Sequence, residues 1–202
     1  MLHTSLSFLT NELNEFLKLR TGTSDERVFL TSVATETSGL KIPDKSLGLS
    51  LMNIEEERVF KDQKTSFINK NGIAEHLNPE IKLNLYILIS ANFQDSDSSI
   101  TDDYVEGLKQ LSYAISFFQS KNVFTIDNSP GMVEYDAAMI KLVVELYSYS
   151  FEQLYNFWTV VGAKYLPSVL YKVRLITFQE RSILDSSLPI EKIRFNSENK
   201  IS

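Results

Sequence analysis

The segment Leu83–Phe93 has the sequence LNLYILISANF and is apolar at both odd and even positions. A half-exposed strand alternates apolar and polar side chains, whereas a strand that is covered on both faces is apolar throughout. The run therefore predicts the central strand of a sheet. The rest of the chain must supply the strands that flank it and the layers that cover it.

Three further segments have helical periodicity. Apolar residues at spacings of three and four place one apolar stripe on each helix. Gly22 follows the first stripe and suits a helix C-terminus. Ser150 and Gln153 form a capping-box pattern that opens the third helix, which we expect to end at Pro167. The three stripes are Leu2, Leu6, Leu9, Leu13, Phe16 and Leu17; Tyr104, Leu108, Leu111, Ile115 and Phe118; and Phe151, Leu154, Trp158 and Val161.

The remaining regular segments have strand character. Met139–Tyr147 alternates most clearly, with Lys141 and Glu145 on its polar side. Helices and strands follow one another without strict βαβ repetition. This order predicts an α+β fold, with a mixed or antiparallel sheet and about three helices packed mainly on one face. Besides the central run, the predicted strands are Arg27–Val33, Leu47–Ile54, Val123–Ile126, Met139–Tyr147 and Val169–Phe178.

Two segments do not fit a compact core. Lys61–Pro79 is polar and is interpreted as a long loop or an extended hairpin arm, with Phe67 and Ile68 near its tip. Loops of that length are usually functional or disordered. We expect one domain over residues 1–178, followed by an extended C-terminal arm over residues 179–202.

Composition restricts the partners. The chain has 202 residues, no cysteine and a formal net charge of −6. Lack of cysteine excludes disulfides, thiolate metal sites and cysteine nucleophiles. The negative charge argues against nucleic acid, which binds mainly through Lys and Arg. No apolar run approaches the roughly 20 residues that span a bilayer, and the N-terminus lacks the features of a signal peptide. We expect neither a nucleic-acid nor a membrane partner, and assembly in the cytoplasm.

Candidate catalytic residues are few. His3 and His76 are the only histidines, and neither neighbourhood offers the partners that a triad or a metal site needs. The acidic run Glu55–Glu57 follows a strand pattern, in which successive side chains point to opposite faces. We therefore expect a solvated edge there, with Arg58 as a partner, instead of a metal or general-acid cluster.

Ligand-binding patterns are equally weak. A calcium loop that starts at Asp95 would need glycine at its sixth position, where Ile100 stands. The glycines form no phosphate-binding loop. Trp158, with Tyr155 and Phe157 at helical spacing, is interpreted as core in preference to a ligand platform. The sequence thus predicts a protein that is not an enzyme and has no cofactor.

The most distinctive block is Glu145–Leu175, ELYSYSFEQLYNFWTVVGAKYLPSVLYKVRL. It resembles the amino-terminal domain of the cap proteins of extracellular contractile injection systems, of the antifeeding-prophage and virulence-cassette type. Four more stretches are similar to that family: HTSLSFLTNELNEFL (3–17), LSLMNIEEER (49–58), NLYILISANF (84–93) and GLKQLSYAISFFQSKNVFT (107–125). Some family members continue into a further domain, whereas this sequence ends in a polar tail.

The resemblance implies a tail-terminator-like fold and a structural role. A homo- or hetero-hexameric ring would close the distal end of the inner tube and sheath, stop tube growth and hold the sheath extended. Its partners would be the inner tube protein, the sheath protein and, where two paralogues share the role, a second cap subunit. The particle would be phage-tail-like and either extracellular or cell-associated. No catalytic residue is carried over.

Two contact sites follow as hypotheses. Phe67 and Ile68 on the Lys61–Pro79 arm would contact the tube. Lys172 and Arg174 alternate on one strand face, where they are either solvated or in contact with an acidic neighbouring subunit. The sequence leaves that choice open.

The tail provides a third hypothesis. Ile190, Ile193 and Phe195 are apolar residues in an otherwise polar segment. We expect the tail to dock on a sheath subunit by strand addition, in which main-chain hydrogen bonds give affinity and these side chains set the register.

Two other functions remain open on the sequence alone. One is a different structural role in a phage-like tail, such as a neck or completion protein. The other is a small-molecule enzyme or binding domain on a similar scaffold, because fold does not determine function. The second would require a pocket with converging polar groups, which the sequence does not indicate.

Overall fold

A computed structural model describes residues 1–35, 39–57, 66–68, 73–76, 81–94, 102–136, 139–178 and 185–187. These residues form four helices and nine strands. The helices are α1 Leu2–Thr21, α2 Asp102–Ser120, α3 Met132–Tyr135 and α4 Phe151–Val161. The strands are β1 Val28–Leu30, β2 Ser46–Glu56, β3 Ser66–Ile68, β4 Ala74–His76, β5 Ile81–Asn92, β6 Val123–Thr125, β7 Lys141–Tyr147, β8 Ser168–Phe178 and β9 Asp185–Ser187.

Six strands form the main sheet, in the order β1-β2-β5-β8-β7-β6. β1 is parallel to β2, and every other pair is antiparallel. β5 lies between β2 and β8, which confirms the predicted central strand. The sheet is mixed and the class is α+β, as the order of elements predicted.

One face of the sheet carries α1, α2 and α3. Alternate residues of β5, including Ile87 and Ile89, point into this layer and are fully buried. Four phenylalanines pack edge-on or tilted at its centre, and the centroids of Phe8 and Phe124 are 5.7 Å apart. The four are Phe8, Phe117, Phe118 and Phe124. This layer is the main hydrophobic core.

The opposite face carries α4 alone. Leu88 lies between Ile87 and Ile89 in β5 but belongs to a second apolar cluster, together with Trp158 of α4. A strand that contributes to both clusters needs apolar residues on both faces, which explains the apolar run from Leu85 to Ile89. Packing is close on this side as well, since a Cβ at Gly48 would lie 2.5 Å from Ile42.

The helix ends agree with most of the local signals. α1 ends at Gly22, which has a left-handed backbone with φ of 69°. The capping box of Ser150 and Gln153 is formed in both directions. The prediction that Pro167 ends the third helix is wrong. α4 ends at Gly162, with φ of 68°, because a left-handed glycine stops the helix before the proline is reached.

The predicted stripe of α2 is partly wrong. Leu111 and Phe118 are buried, but Tyr104, Leu108 and Ile115 are exposed. The small residues of α2 face the sheet instead, and a Cβ at Gly107 would come within 2.9 Å of the Phe93 side chain. Close approach of the helix to the sheet selected small residues over large apolar ones.

Two other stripes are also exposed in part. Phe151, predicted to lie on the buried stripe of α4, is 90% exposed. Ile140 and Leu146, at the two ends of the predicted alternation in β7, are exposed as well, because the core extends only over Leu142 and Val144.

A second, small sheet has the order β3-β4-β9. β3 and β4 form an antiparallel hairpin within the predicted Lys61–Pro79 arm. β9, from the predicted tail, pairs antiparallel with β4 of the same chain. The two segments that were predicted to lie outside the core thus meet each other. α3 was not predicted, because four residues give too short a pattern.

Candidate interaction surfaces

Asparagine side chains bond to outward-facing backbone groups of both edge strands of the main sheet. In the parallel pairing with β2, the Arg27 carbonyl oxygen accepts from the Leu47 N–H and the Thr31 N–H donates to the Leu49 carbonyl oxygen, so the backbone groups of Val28 point outward. The side chain of Asn14 in α1 forms hydrogen bonds with these outward groups. Its Nδ2 donates to the Val28 carbonyl oxygen at 2.8 Å, and its Oδ1 accepts from the Val28 N–H at 2.9 Å. A neighbouring strand therefore cannot pair with Val28.

At the β6 edge, the turn that follows the strand supplies partners for outward-facing backbone groups. Asn128 Oδ1 accepts from the Thr125 N–H at 3.0 Å, and Asn128 Nδ2 donates to the Val123 carbonyl oxygen at 2.9 Å. The Thr125 carbonyl oxygen accepts from the backbone N–H of Ser129 at 2.8 Å. Unpaired backbone groups on an edge strand invite association with other strands, so these bonds disfavour strand addition at Val28 and along β6.

The face of the sheet beside α4 carries a polar ladder across four strands. Tyr86 of β5 donates its hydroxyl proton to Glu55 of β2 at 2.8 Å. On its other side Tyr86 pairs with Lys172 of β8, whose Nζ lies 5.6 Å from the ring centroid. Lys172 in turn lies opposite Glu145 of β7. Burial, and then the hydrogen bond from the Tyr86 hydroxyl to Glu55, raise the pKa of Tyr86 to about 12.

Lys172 and Arg174 are thus brought to one site. Arg174 forms an ion pair with Glu145, and Lys172 pairs opposite Glu145 in the strand register. The ion pair opposes the charge of Arg174, which weakens the attraction of Arg174 for an acidic neighbour. The contact that the sequence suggested for them stays a prediction.

The acidic run Glu55–Glu57 does not form one cluster. Glu55 and Glu56 are exposed at the end of β2, whereas Glu57 is buried and accepts a hydrogen bond from Asn84 at 3.0 Å. The prediction of a wholly solvated edge is therefore wrong for Glu57. Glu57 follows the last residue of β2, and its buried carboxylate is satisfied by the Asn84 amide.

Other predicted candidates remain apart. His3 lies at the start of α1 and His76 in β4. Among the residues that the structure describes, no three His, Asp or Glu side chains are grouped to hold a metal ion. Within the same residues, no helix is long and apolar enough to span a bilayer. The calcium-loop candidate beginning at Asp95 lies mostly outside them.

The three hypothesised contact sites differ in what can be described. Phe67 and Ile68 are in β3, opposite Glu75 and Ala74 of β4, so both are part of the hairpin as predicted. Ile190, Ile193 and Phe195 lie outside the described residues. The tube and sheath contacts assigned to these two sets remain predictions.

An aromatic groove runs along one flank of α4, and the sequence analysis missed it. It encloses about 570 Å³. Trp158 is buried at its floor, while Phe151, Tyr155 and Tyr165 are 90%, 72% and 60% exposed on its walls. The rings of Trp158 and Tyr165 meet edge to face, with centroids 5.5 Å apart. We call this surface the aromatic groove.

The groove continues towards α2. A second cavity, of about 160 Å³, has Tyr165 on one wall and Tyr104 on the other. Burial raises the pKa of Tyr165, and the nearby Tyr149 and Tyr104 raise it further. A sequence signal for this surface was available, because residues 146–163 carry a single charged side chain, Glu152.

Residues 6–192 match the model of the Pvc16 N-terminal domain. The match covers most of the chain, and the chain belongs to this family. No curated protein matches the sequence.

Two solved structures have a similar fold. One is the sheath/tube terminator of the PVC extracellular contractile injection system in its extended state, with a TM-score of 0.52 and 16% identity over 95% of this chain. The other is the tube-terminating cap of the anti-feeding prophage, with a TM-score of 0.57 and 13% identity over 93% of this chain. The chain spans 64% and 59% of those proteins. At this identity the likeness establishes the fold, and it agrees with the tail-terminator-like fold expected from the sequence.

Proposed function

We propose that this chain is a structural cap protein that closes the distal end of the tube and sheath of a contractile injection system. Its membership of the Pvc16 N-terminal domain family carries the proposal, together with a fold shared with two tube terminators. In this role the chain stops tube growth and holds the sheath extended. It turns over no substrate.

The described surfaces favour binding over catalysis. The aromatic groove is lined by aromatic side chains, Leu154 and small residues, and no charged side chain is among them. An active site generally needs converging polar groups with shifted pKa values. The pKa values of Tyr86 and Tyr171 are both raised to about 12, and burial is the first cause in each case.

A ring of six copies, with or without a paralogous cap subunit, would seat on the last ring of the inner tube. Closed rings use two different patches of each subunit, each meeting the other patch on the next copy. The inner tube protein and the sheath protein are the remaining partners. Assembly would take place in the cytoplasm, before the chain becomes part of a phage-tail-like particle.

The β3–β4 hairpin is the proposed tube contact, with Phe67 and Ile68 as its contact residues. Replacing both with Asp would keep the subunit folded and detach it from the tube end. Tube protein that still copurifies with this variant in the same amount would exclude the contact.

The tail is the proposed sheath contact, through Ile190, Ile193 and Phe195. β9, which belongs to the tail, pairs through its backbone with β4 of the hairpin. This pairing anchors the tail at Asp185–Ser187. A chain that ends after Ser187 should still occupy the tube end but lose the extended sheath. Lys172 and Arg174 are weaker contact candidates, since Arg174 is paired with Glu145 and Lys172 lies over the Tyr86 ring.

Electron microscopy of particles tests the proposal as a whole. A label fused to this chain should mark one end of each particle, and particles assembled without the chain should have tubes of uncontrolled length. A label along the shaft, or unchanged tube lengths without the chain, would refute the cap role. A label at the collar of an otherwise normal tail would favour a neck or completion protein.

A further inference from the structure

Helix α4 is attached to the sheet through few side chains. All 11 of its residues are described, and Trp158 is the only one of them that is buried. Leu154, Phe157 and Val161 are partly buried against the same apolar cluster. By contrast, α1 buries eight of its 20 residues. Because burial of apolar surface is the main driving force that docks a helix, α4 is held to the sheet more weakly than α1.

Cavities on both flanks of α4 reduce its packing further. The aromatic groove, of about 570 Å³, lies along one flank. On the other flank a cavity of about 170 Å³ lies between α4 and the sheet. Its walls include Gln153 and Phe157 of α4 and Leu88 and Leu170 of the sheet. Side chains that border a cavity lose the van der Waals contacts that close packing provides, so the helix rests on the sheet along a narrow line of contact.

Polar contacts do not compensate for this weak packing. Within the described part of the chain, no hydrogen bond or ion pair joins α4 to another helix or strand. The side-chain hydrogen bonds of α4 are local: the capping box of Ser150 and Gln153, and the bond from the Thr159 hydroxyl to the Tyr155 carbonyl oxygen. In α1, the side chain of Asn14 bonds directly to the edge strand of the sheet.

The buried residue that anchors α4 has an unpaired donor. Trp158 is 7% exposed, and its indole N–H has no hydrogen-bond partner among the described residues. Burying a donor without a partner costs free energy, and water removes that cost when the side chain is exposed. The Trp158 indole therefore favours docking by its apolar surface and opposes docking by its N–H.

The ends of α4 allow the helix to leave the sheet as a unit. The capping box of Ser150 and Gln153 completes its N-terminus, and the left-handed Gly162 completes its C-terminus. Both ends are thus satisfied by residues of the helix and its caps instead of by the sheet. Moving α4 away also leaves the backbone pairing of β5 with β8, including Leu88 with Leu170, intact.

We infer that α4 is a lid on the sheet, which opens and closes as a unit while the rest of the domain stays folded. The open state exposes Trp158 and, beneath the helix, Leu88 and Leu170. The lid thus controls when the second apolar cluster of this subunit is accessible. The inference concerns the subunit itself and does not rest on the proposed cap role.

Cysteine labelling measures the opening, because the natural chain has no cysteine. Leu88→Cys places a thiol on the face of β5 beside α4. Ile87→Cys, at the neighbouring position, places the matched control in the main core. Both natural side chains are buried, at 1% and 0% exposure. A thiol reagent therefore reaches position 88 when α4 opens, but it reaches position 87 only when the main core unfolds.

The two labelling rates are compared at equal global stability, which urea unfolding of each variant establishes. The Leu88→Cys thiol should react at least about 100-fold faster than the Ile87→Cys thiol, because local opening requires much less free energy than global unfolding. Its rate should also change little at low urea concentrations, because opening of α4 exposes little surface.

Hydrogen exchange of the natural chain gives an independent measurement, which needs no core substitution. An isolated helix of 11 residues is marginal in water, so the amides of α4 should exchange whenever the helix leaves the sheet. Their protection should be at least about 100-fold lower than that of the α1 amides. Acrylamide should quench Trp158, the only tryptophan, under conditions in which the far-UV circular dichroism is unchanged.

Two results would overturn the inference. They are equal labelling rates for the two cysteines at equal stability, and equal protection of the α4 and α1 amides. Either result would mean that α4 leaves the sheet only when the whole domain unfolds. If a cysteine variant does not fold, hydrogen exchange of the natural chain decides the question. The cap role is tested separately, by the position of the label in particles, so the two failures can be distinguished.

Discussion

Asn14, in the middle of α1, is bonded through its side chain to both the N–H and the C=O of Val28 in β1. The same Oδ1 also accepts from the Arg27 N–H at 3.0 Å. Asn14 is 3% exposed. The side-chain amide of Asn14 thus forms the two hydrogen bonds that an adjacent strand would form with Val28. These bonds fix α1 against the edge of the sheet.

Replacing Asn14 with Ala should destabilise the chain by about 3 kcal/mol, because buried backbone groups lose their partners. Urea unfolding followed by circular dichroism measures the change. Asn11→Ala is the control, since Asn11 is on the same helix, is exposed, and bonds to the hydroxyl of Tyr135 and not to backbone groups of the sheet among the described residues. Equal unfolding midpoints for the two variants would mean that closing this edge does not stabilise the fold.

Asn128 makes the corresponding side-chain bonds to β6, but it is exposed to solvent. Asn128→Ala should cost about 1 kcal/mol or less, because water replaces the exposed bonds, but it leaves the Val123 C=O and the Thr125 N–H open to other strands. Faster growth of light scattering on heating is the expected result. Asp127→Ala, in the same turn, is the control and should keep the scattering of the natural chain.

Local sequence patterns predicted the parts of this fold that depend on local physics. The apolar run around Leu88 identified the central strand because both faces of β5 are buried. Gly22 and the pair Ser150 and Gln153 identified helix ends, because the bonds that end a helix are made within a few residues.

The sequence did not predict which side of α2 faces the sheet. Periodicity ranks positions by hydrophobicity, so Tyr104, Leu108 and Ile115 were assigned to the core. The sheet approaches α2 so closely that Gly107 and Ala114 face it instead. Such a choice depends on the distance between layers, which no single segment encodes.

The candidate surfaces were predicted less well than the fold. The aromatic groove combines Tyr104 of α2 with Tyr165, which follows α4, and only tertiary structure brings these residues together. Its one sequence signal was the lack of charge around α4. Phe151 was assigned to the core for its hydrophobicity, although surfaces that bind other proteins are also rich in aromatic residues.

The close approach of α2 gives a third prediction. A Gly-to-Ala change inside a helix usually stabilises by up to about 1 kcal/mol. Gly107→Ala should instead destabilise by about 1–3 kcal/mol, because the new Cβ overlaps Phe93. Gly131→Ala is the control, since no atom lies within 4 Å of its Cβ position. A gain in unfolding free energy for Gly107→Ala would mean that α2 can move away from the sheet at little cost.

The alkaline limit of stability gives the last prediction. Burial raises the pKa of Tyr171 to about 12, from an ordinary value of 10.0. The folded state holds this proton more tightly than the unfolded state, so the stabilisation is complete below pH 10 and is lost as the pH rises through 12. Its size is about 2–3 kcal/mol for two pKa units.

Tyr171→Phe removes the titrating hydroxyl and keeps the ring packed against Phe118. The unfolding free energy of this variant should fall less steeply between pH 10 and pH 12 than that of the natural chain. Tyr155→Phe, at an exposed position, should leave the slope unchanged. Denaturant titrations at a series of pH values measure all three slopes. Parallel curves for Tyr171→Phe and the natural chain would show that another group controls alkaline unfolding.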